Sequence, residues 1–114
     1  MGQDRRRAPR VELPVELRMR TSRSALEGRT LNLSMAGLRA LVVDRTVVPG
    51  EPVAINLLQP RTNAVFRRDG TIVRVEPFDP QWTAIAIDFA LLDPATELQF
   101  AEFLNAVYAI VHGG

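Results

Sequence analysis

From residue 11 to residue 19 the chain alternates without a break. Val11, Leu13, Val15, Leu17 and Met19 are apolar, and Glu12, Pro14, Glu16 and Arg18 stand between them. Successive side chains on an extended backbone point to opposite faces, so this segment is a strand with one dry face and one wet one. Pro14 has no amide hydrogen for a ladder, which places the strand at a sheet edge or leaves it incompletely paired there. Further strands are predicted near residues 26–33, 38–43, 53–58, 64–76 and 82–89, with turns at 21–24, 34–37, Pro49-Gly50 and 60–63. Asp69-Gly70 interrupts the fifth run and reads either as a hairpin turn or as a bulge in one long strand. In the last run Trp82, Ala84, Ala86 and Asp88 share one face, and Thr83, Ile85, Ile87 and Phe89 share the other.

The period changes at Asp93. This residue can cap a helix whose first position is Pro94, and Phe100, Leu104, Val107, Tyr108 and Val111 follow at helical spacing, ending at Gly113 and Gly114. Six short strands and one terminal amphipathic helix predict a mainly β fold, a six-stranded antiparallel β-barrel with a C-terminal α-helix. At 114 residues, 46% hydrophobic and 24% charged, the chain has the composition of a globular protein with one core. The expected organisation is a single domain over residues 1–114. It comprises a flexible basic arm (1–10), a barrel (11–92) and a helix (93–112).

Several kinds of chemistry are excluded. The chain has no cysteine, so disulfides, thiolate catalysis and cysteine metal sites are absent. Its one histidine, His112, sits at the C-terminal end of the helix, where a solvated role is expected rather than a metal-binding one. Asp69 and Asp88 are isolated carboxylates, no nucleophile has a visible base beside it, and there is neither a GxGxxG nor a phosphate-binding loop motif. Asn32-Leu33-Ser34 matches the N-glycosylation sequon, but the N-terminal arginines are not followed by the apolar stretch of a secretory signal. No run approaches the ~20 apolar residues of a membrane span. The expectation is a soluble, cytoplasmic, non-enzymatic protein with no metal, no cofactor and no membrane contact.

Binding residues are easier to find. The net charge is +1, yet eight of the fourteen arginines lie in the first 29 residues, against four acids there. Every basic residue is arginine, so it is the clustering that carries information. Arg5, Arg6, Arg7 and Arg10 form the run RRRAPR, and a guanidinium fork can grip a phosphate, grip the O6 and N7 edge of guanine, or stack on a base. The second cluster is LNLSMAG, residues 31–37. Asn32 and Ser34, two apart, share one strand face, leaving Leu31 and Leu33 for the core. Gly37 suits a positive φ or close approach of a ligand to the backbone.

Together the clusters resemble the PilZ-domain family. Its RxxxR motif is met by Arg6 and Arg10, and its (Asp or Asn)-x-Ser-x-x-Gly motif by Asn32, Ser34 and Gly37. The later segments PGEPV, DGTIVRV and AIAIDF, followed by a helix, are similar in order to the family's remaining strands, although Ala86 stands where many members have glycine. The resemblance implies a receptor for the bacterial second messenger cyclic di-GMP. In that reading Arg6 and Arg10 bind phosphate and guanine edges, Asn32 and Ser34 hydrogen-bond the ligand from the barrel, and Gly37 keeps the turn open. Arg5, just ahead of the motif, implies an intercalated nucleotide pair rather than a single one. Arg7 and Trp82 are secondary candidates, the latter as a base-stacking ring.

A downstream protein in motility, polysaccharide or pilus machinery is what the family implies. Two other readings stay open. One is a degenerate PilZ-like scaffold that acts by protein contact without nucleotide. The other is a nucleic-acid-binding barrel, which would need stacking aromatics spread over a strand face; one tryptophan and one tyrosine do not supply them, so no DNA or RNA partner is expected.

Overall fold

In the computed structural model, which describes residues 11–12, 14–43, 46–62 and 64–112 without the side chains of the last two, the alternating runs become six strands. These are β1 (Glu16–Arg20), β2 (Ala25–Leu33), β3 (Gly37–Val42), β4 (Pro52–Leu58), β5 (Val65–Pro77) and β6 (Thr83–Phe89), followed by helix α1 (Pro94–His112). All pair antiparallel in the order β1-β2-β3-β6-β5-β4, and β1 meets β4 to close a barrel, so no strand presents a free edge.

The first alternating run is not one strand. Val11 forms an isolated antiparallel bridge with Leu33, Pro14 lies beyond it, and regular pairing begins only at Glu16 opposite Arg29. Incomplete pairing, one of the two consequences expected of Pro14, is what occurs. Asp69-Gly70 makes no hairpin: β5 runs through it for 13 residues, and its register slips between Ile72 and Arg74 instead. Gly70 is needed there because a Cβ would lie 2.6 Å from the Asp88 carbonyl oxygen.

Inward side chains of every strand build the core, with Leu17, Leu33, Ile55, Leu57, Ile72, Ile85 and Ile87 at most 2% exposed. Helix α1 stoppers one end of the barrel. Asp93 caps it, its Oδ1 accepting the Thr96 amide hydrogen at 2.7 Å, and the Thr96 hydroxyl, together with that amide, holds the Asp93 carboxyl below its ordinary pKa. Phe100, Phe103, Leu104 and Val107 face inward at i, i+3, i+4 and i+7, and the Phe66, Phe89, Phe100 and Phe103 rings meet at centroid distances of 5.0–6.0 Å. The helix face therefore sits slightly off its expected position: Phe103 is buried, whereas Tyr108 is exposed.

One irregularity sets which residues of β2 face outward. Leu26 and Thr30 point inward, but pairing with β3 slips by one residue between Thr30 and Asn32, so the next inward residue is Leu33. Leu31 is the extra residue and is only half-buried, not in the core as the alternation suggested. The slip is held on the β1 side, where the Thr30 Oγ1 accepts the Val15 amide hydrogen at 2.9 Å and the Thr30 amide donates to the Val15 carbonyl at 3.0 Å. Replacing Thr30 by Val should strand the buried Val15 amide and cost about 1–3 kcal/mol in denaturant unfolding. Wild-type stability in Thr30→Val would show that the bond does not hold the slip.

Candidate functional site

The candidate residues fall into three groups. Arg5, Arg6, Arg7 and Arg10 lie outside the described residues. Asn32, Ser34 and Gly37 lie together where β2 turns into β3, and Trp82 lies just before β6. Because the slip places Leu33 inside, its neighbours Asn32 and Ser34 face the opposite way, both half-buried at the barrel surface. Ser34 is tied into its turn, its amide donating to the Gly37 carbonyl at 2.9 Å and its hydroxyl to the same oxygen at 3.3 Å.

Val11 is bonded to Leu33 in both directions, amide to carbonyl at 2.7 Å and carbonyl to amide at 2.8 Å, and both side chains are fully buried. Val11, which follows Arg10 in sequence, is thereby held next to Asn32 and Ser34. Arg6 is five residues from this anchor, within ~17 Å of chain at full extension.

Gly37 has an explanation that the sequence did not offer. Among the described residues the glycine with positive φ is Gly50, not Gly37. A Cβ on Gly37 would lie 2.1 Å from the Ile87 carbonyl oxygen, so the close approach is by the backbone of β6.

Trp82 is remote from that turn. Gly37 pairs with Asp88 while Val42 pairs with Thr83, so Trp82 adjoins the far end of β3, about 17 Å along the strand. Its ring stands 5.2 Å from the Arg29 guanidinium, a cation–π distance, beside a groove of about 470 Å³ that also touches Glu16, Arg18, Glu27 and Val43. This groove includes none of Asn32, Ser34 and Gly37.

Three arginines escaped the sequence reading. Asn32 pairs with Arg39, Arg39 with Ala86 and Ala86 with Arg74, giving one row across β2, β3, β6 and β5. Arg39 and Arg74 are exposed, and neither has a hydrogen-bond or ion-pair partner among the described residues. Arg39 was legible: a two-residue turn at Met35-Ala36 sets Asn32 opposite it. Arg74 was not, because the slip at Val73 moves its register.

The third, Arg68, is 3% exposed and lies between the Phe89 and Phe100 rings, 4.2 and 4.4 Å from their centroids. Its Nη2 donates to the Ala90 carbonyl at 2.9 Å, while Nε and Nη1 have no partner among the described residues. Burial lowers its pKa from the ordinary arginine value to about 10, against the opposing fields of Asp69 and Glu97. A cavity of about 350 Å³ beside it is also lined by Met35, Ala36, Asp88 and Glu97, linking the β2–β3 turn to α1. Among the described residues no acidic or histidine cluster could hold a metal, and no helix is long and apolar enough to cross a membrane.

A closed antiparallel barrel stoppered by one helix, with a polar turn beside the anchor of an arginine-rich segment, defines a small class of β-barrel domains. Residues 4–106 match the family profile described as the PilZ domain, and the chain belongs to that family. Comparison with curated proteins gave no match. Among solved structures, the PilZ domain of YcgR from Escherichia coli, in a structure with c-di-GMP, is similar at TM-score 0.74 and 19% identity, over 96% of this chain and 95% of that one. The Bacillus subtilis inhibitor of motility MotI/DgrA is similar at TM-score 0.64 and 9% identity, over 83% of this chain and 47% of that one. A PilZ domain of CeSA from a cellulose-synthesizing bacterium gives TM-score 0.57 and 16% identity, over 93% of this chain and 97% of that one. The chain thus spans about half the length of MotI/DgrA and, at 48%, of the longer YcgR chain.

Because the atom facing Gly37 is a backbone carbonyl of a paired strand, it cannot yield as a side chain would. Gly37→Ala should therefore lower unfolding stability by about 2 kcal/mol or more, read by urea titration. An unchanged midpoint would mean that β3 and β6 are free to separate there.

Proposed function

We propose that the chain is a cyclic di-GMP receptor that couples the second messenger to a protein partner through its N-terminal arginine segment. The observation that supports this reading is the two-way Val11–Leu33 bridge, since it holds Val11, the residue that follows the RxxxR segment in sequence, beside Asn32 and Ser34. Arg6 and Arg10 grip phosphate and guanine edges from one side; Asn32 and Ser34 offer an amide and a hydroxyl from the barrel. Family membership supports the ligand class, and the PilZ domain of YcgR was solved with c-di-GMP.

The energetics are adequate without any chemical step. A micromolar dissociation constant is about −8 kcal/mol, and charge-assisted hydrogen bonds contribute ~1.5–3 kcal/mol each, so four or five suffice after the cost of ordering is subtracted. Arg5 extends the cationic run and favours a stacked pair of nucleotides. The similarity to an inhibitor of motility and to a cellulose-linked PilZ domain favours motility or polysaccharide machinery as the partner.

Arg6→Ala, Arg10→Ala, or Asn32→Ala combined with Ser34→Ala should weaken cyclic di-GMP binding tenfold or more in calorimetric titration, with an unchanged circular dichroism spectrum. Wild-type affinity in the arginine variants would refute the assignment, and no binding by the wild type would leave the protein-only scaffold as the better reading. Ligand should also slow amide hydrogen exchange in residues 1–10, because those residues close over it. Exchange there that saturating ligand leaves unchanged would rule out coupling through this segment.

A further inference from the structure

We propose that the trough crossing the outer face of β2, β1 and β4, from Trp82 to Arg67, is a docking surface for a partner protein, and that its occupant is an acidic segment carrying one apolar side chain. The inference goes beyond the receptor reading and does not need it, because the trough shares no residue with Asn32, Ser34 and Gly37.

Three observations converge. The groove of about 470 Å³ at Trp82 continues into another of about 350 Å³, the two sharing Arg18, Ala25 and Glu27. Backbone pairing makes the shared row continuous: Glu27 stands opposite Arg18, Arg18 opposite Asn56 and Asn56 opposite Arg67, which spans about 14 Å at ~4.8 Å per strand. Beside it Arg20 pairs with Ala25 on one side and Ala54 on the other, and these short side chains leave the trough open around it. The charges on this face do not cancel. Arg18, Arg20, Arg29 and Arg67 line the joined grooves against Glu16 and Glu27. Arg20 is exposed with no partner among the described residues, and the Arg18–Glu27 pair, 3.9 Å apart between two exposed side chains, locks neither of them. Finally, the apolar end is rigid. The Trp82 carbonyl accepts the Phe78 and Asp79 amide hydrogens at 3.0 and 3.2 Å, and the Asp79 Oδ1 accepts the Trp82 amide hydrogen at 2.7 Å, so this residue is clamped through both backbone groups. Its half-buried ring, with the Arg29 guanidinium at 5.2 Å, borders the same groove as Val43, which is 62% exposed.

Charge and shape together select the occupant. The excess of guanidinium groups favours carboxylates, which an arginine fork holds with two hydrogen bonds. Glu16 and Glu27, set among the arginines, repel an unbroken phosphate backbone, so a peptide whose acids are spaced by other residues fits better than a nucleic acid. A tryptophan with a guanidinium near its face and an exposed aliphatic neighbour has the composition in which protein interfaces concentrate their energy, and a ring already fixed in place loses little freedom on binding. The apolar side chain of the partner therefore belongs at the Trp82 end, and its acids lie toward Arg20 and Arg67. Arg74, on β5 but paired with Ala86 of β6, lies outside both grooves and serves as the charge control.

Trp82 is the only tryptophan in the chain, so its fluorescence reports occupancy of the trough. The probe is a short capped peptide of alternating glutamate and serine with one central leucine, titrated into the full chain beside its lysine counterpart and a single-stranded oligonucleotide, with thermal melts to verify folding. The acidic peptide should change Trp82 emission saturably and the lysine peptide should not. Arg20→Glu and Arg67→Glu should each weaken the acidic peptide about tenfold, while Arg74→Glu leaves it unchanged. No saturable response to the acidic peptide, or equal losses in all three variants, would overturn the surface. Binding of the lysine peptide or the oligonucleotide as tight as that of the acidic peptide would overturn the occupant. Concentration-dependent self-association in sedimentation, lost in Arg20→Glu, would make the occupant a second copy of this chain and overturn the partner assignment. Cyclic di-GMP titration of the same samples reads the other site: its failure beside normal peptide binding would sink the receptor reading and leave this surface standing.

Discussion

A single extra residue in β2 is the constraint on which the surface depends. Up to Thr30 the even positions face the interior; from Leu33 onward the odd ones do. Had the register run through unchanged, Asn32 would have pointed inside, where an amide without partners costs several kcal/mol, and Leu33 would have pointed into water. The slip reverses both. It also leaves Leu33 opposite Val11, so the irregularity that turns Asn32 outward is continuous with the bridge that holds Val11 beside it. Two features that the sequence separates by twenty residues are one local arrangement of hydrogen bonds.

The helical stopper has a different physical basis. Phe66, Phe89, Phe100 and Phe103 would close the barrel end well enough as hydrocarbon, yet Arg68 lies among them with two nitrogens that have no partner among the described residues. Desolvation opposes its charge, as the lowered pKa shows, and the faces of Phe89 and Phe100 return part of the cost through cation–π attraction. A guanidinium held by ring faces constrains how α1 sits more narrowly than packing alone does. The adjoining cavity reaches Met35 and Ala36, within the Asn32-to-Gly37 motif, so displacement of that turn and displacement of the helix are mechanically neighbouring events.

How much of this was legible follows from the range of each signal. Period-two alternation and turn residues are local, and they located all six strands and the helix to within a few residues. Where a third element intervenes, local signals do not decide. Asp69-Gly70 left a hairpin turn and one long strand both open, and Ala54 and Val53 on one side and Phe89 on the other keep β5 extended through it. Gly37 reads as a turn glycine, whereas the close approach comes from Ile87, fifty residues away. Leu31 was assigned to the core by alternation that the slip had already broken, and Tyr108 by a helix face that the phenylalanine cluster rotates toward Phe103. Asn32 and Ser34 were recognised as an outward pair correctly, since only their relative spacing was needed.

Closing the sheet gives the outward face its value for recognition. An open sheet twists progressively and exposes edges that compete for any extended partner, whereas a closed barrel leaves no free edge and holds neighbouring strands at a near-constant spacing. Cross-strand rows then become rulers. Along the row from Asn32 the side chains are an amide, a guanidinium, a methyl and a guanidinium, so two cations stand two strand spacings apart, roughly 10 Å, with nothing tall between them. The methyl matters as much as the charges. A larger side chain at residue 86 would rise between Arg39 and Arg74. Glycine, common in the family at that point, would leave the backbone bare; alanine covers it with apolar surface and keeps the floor low.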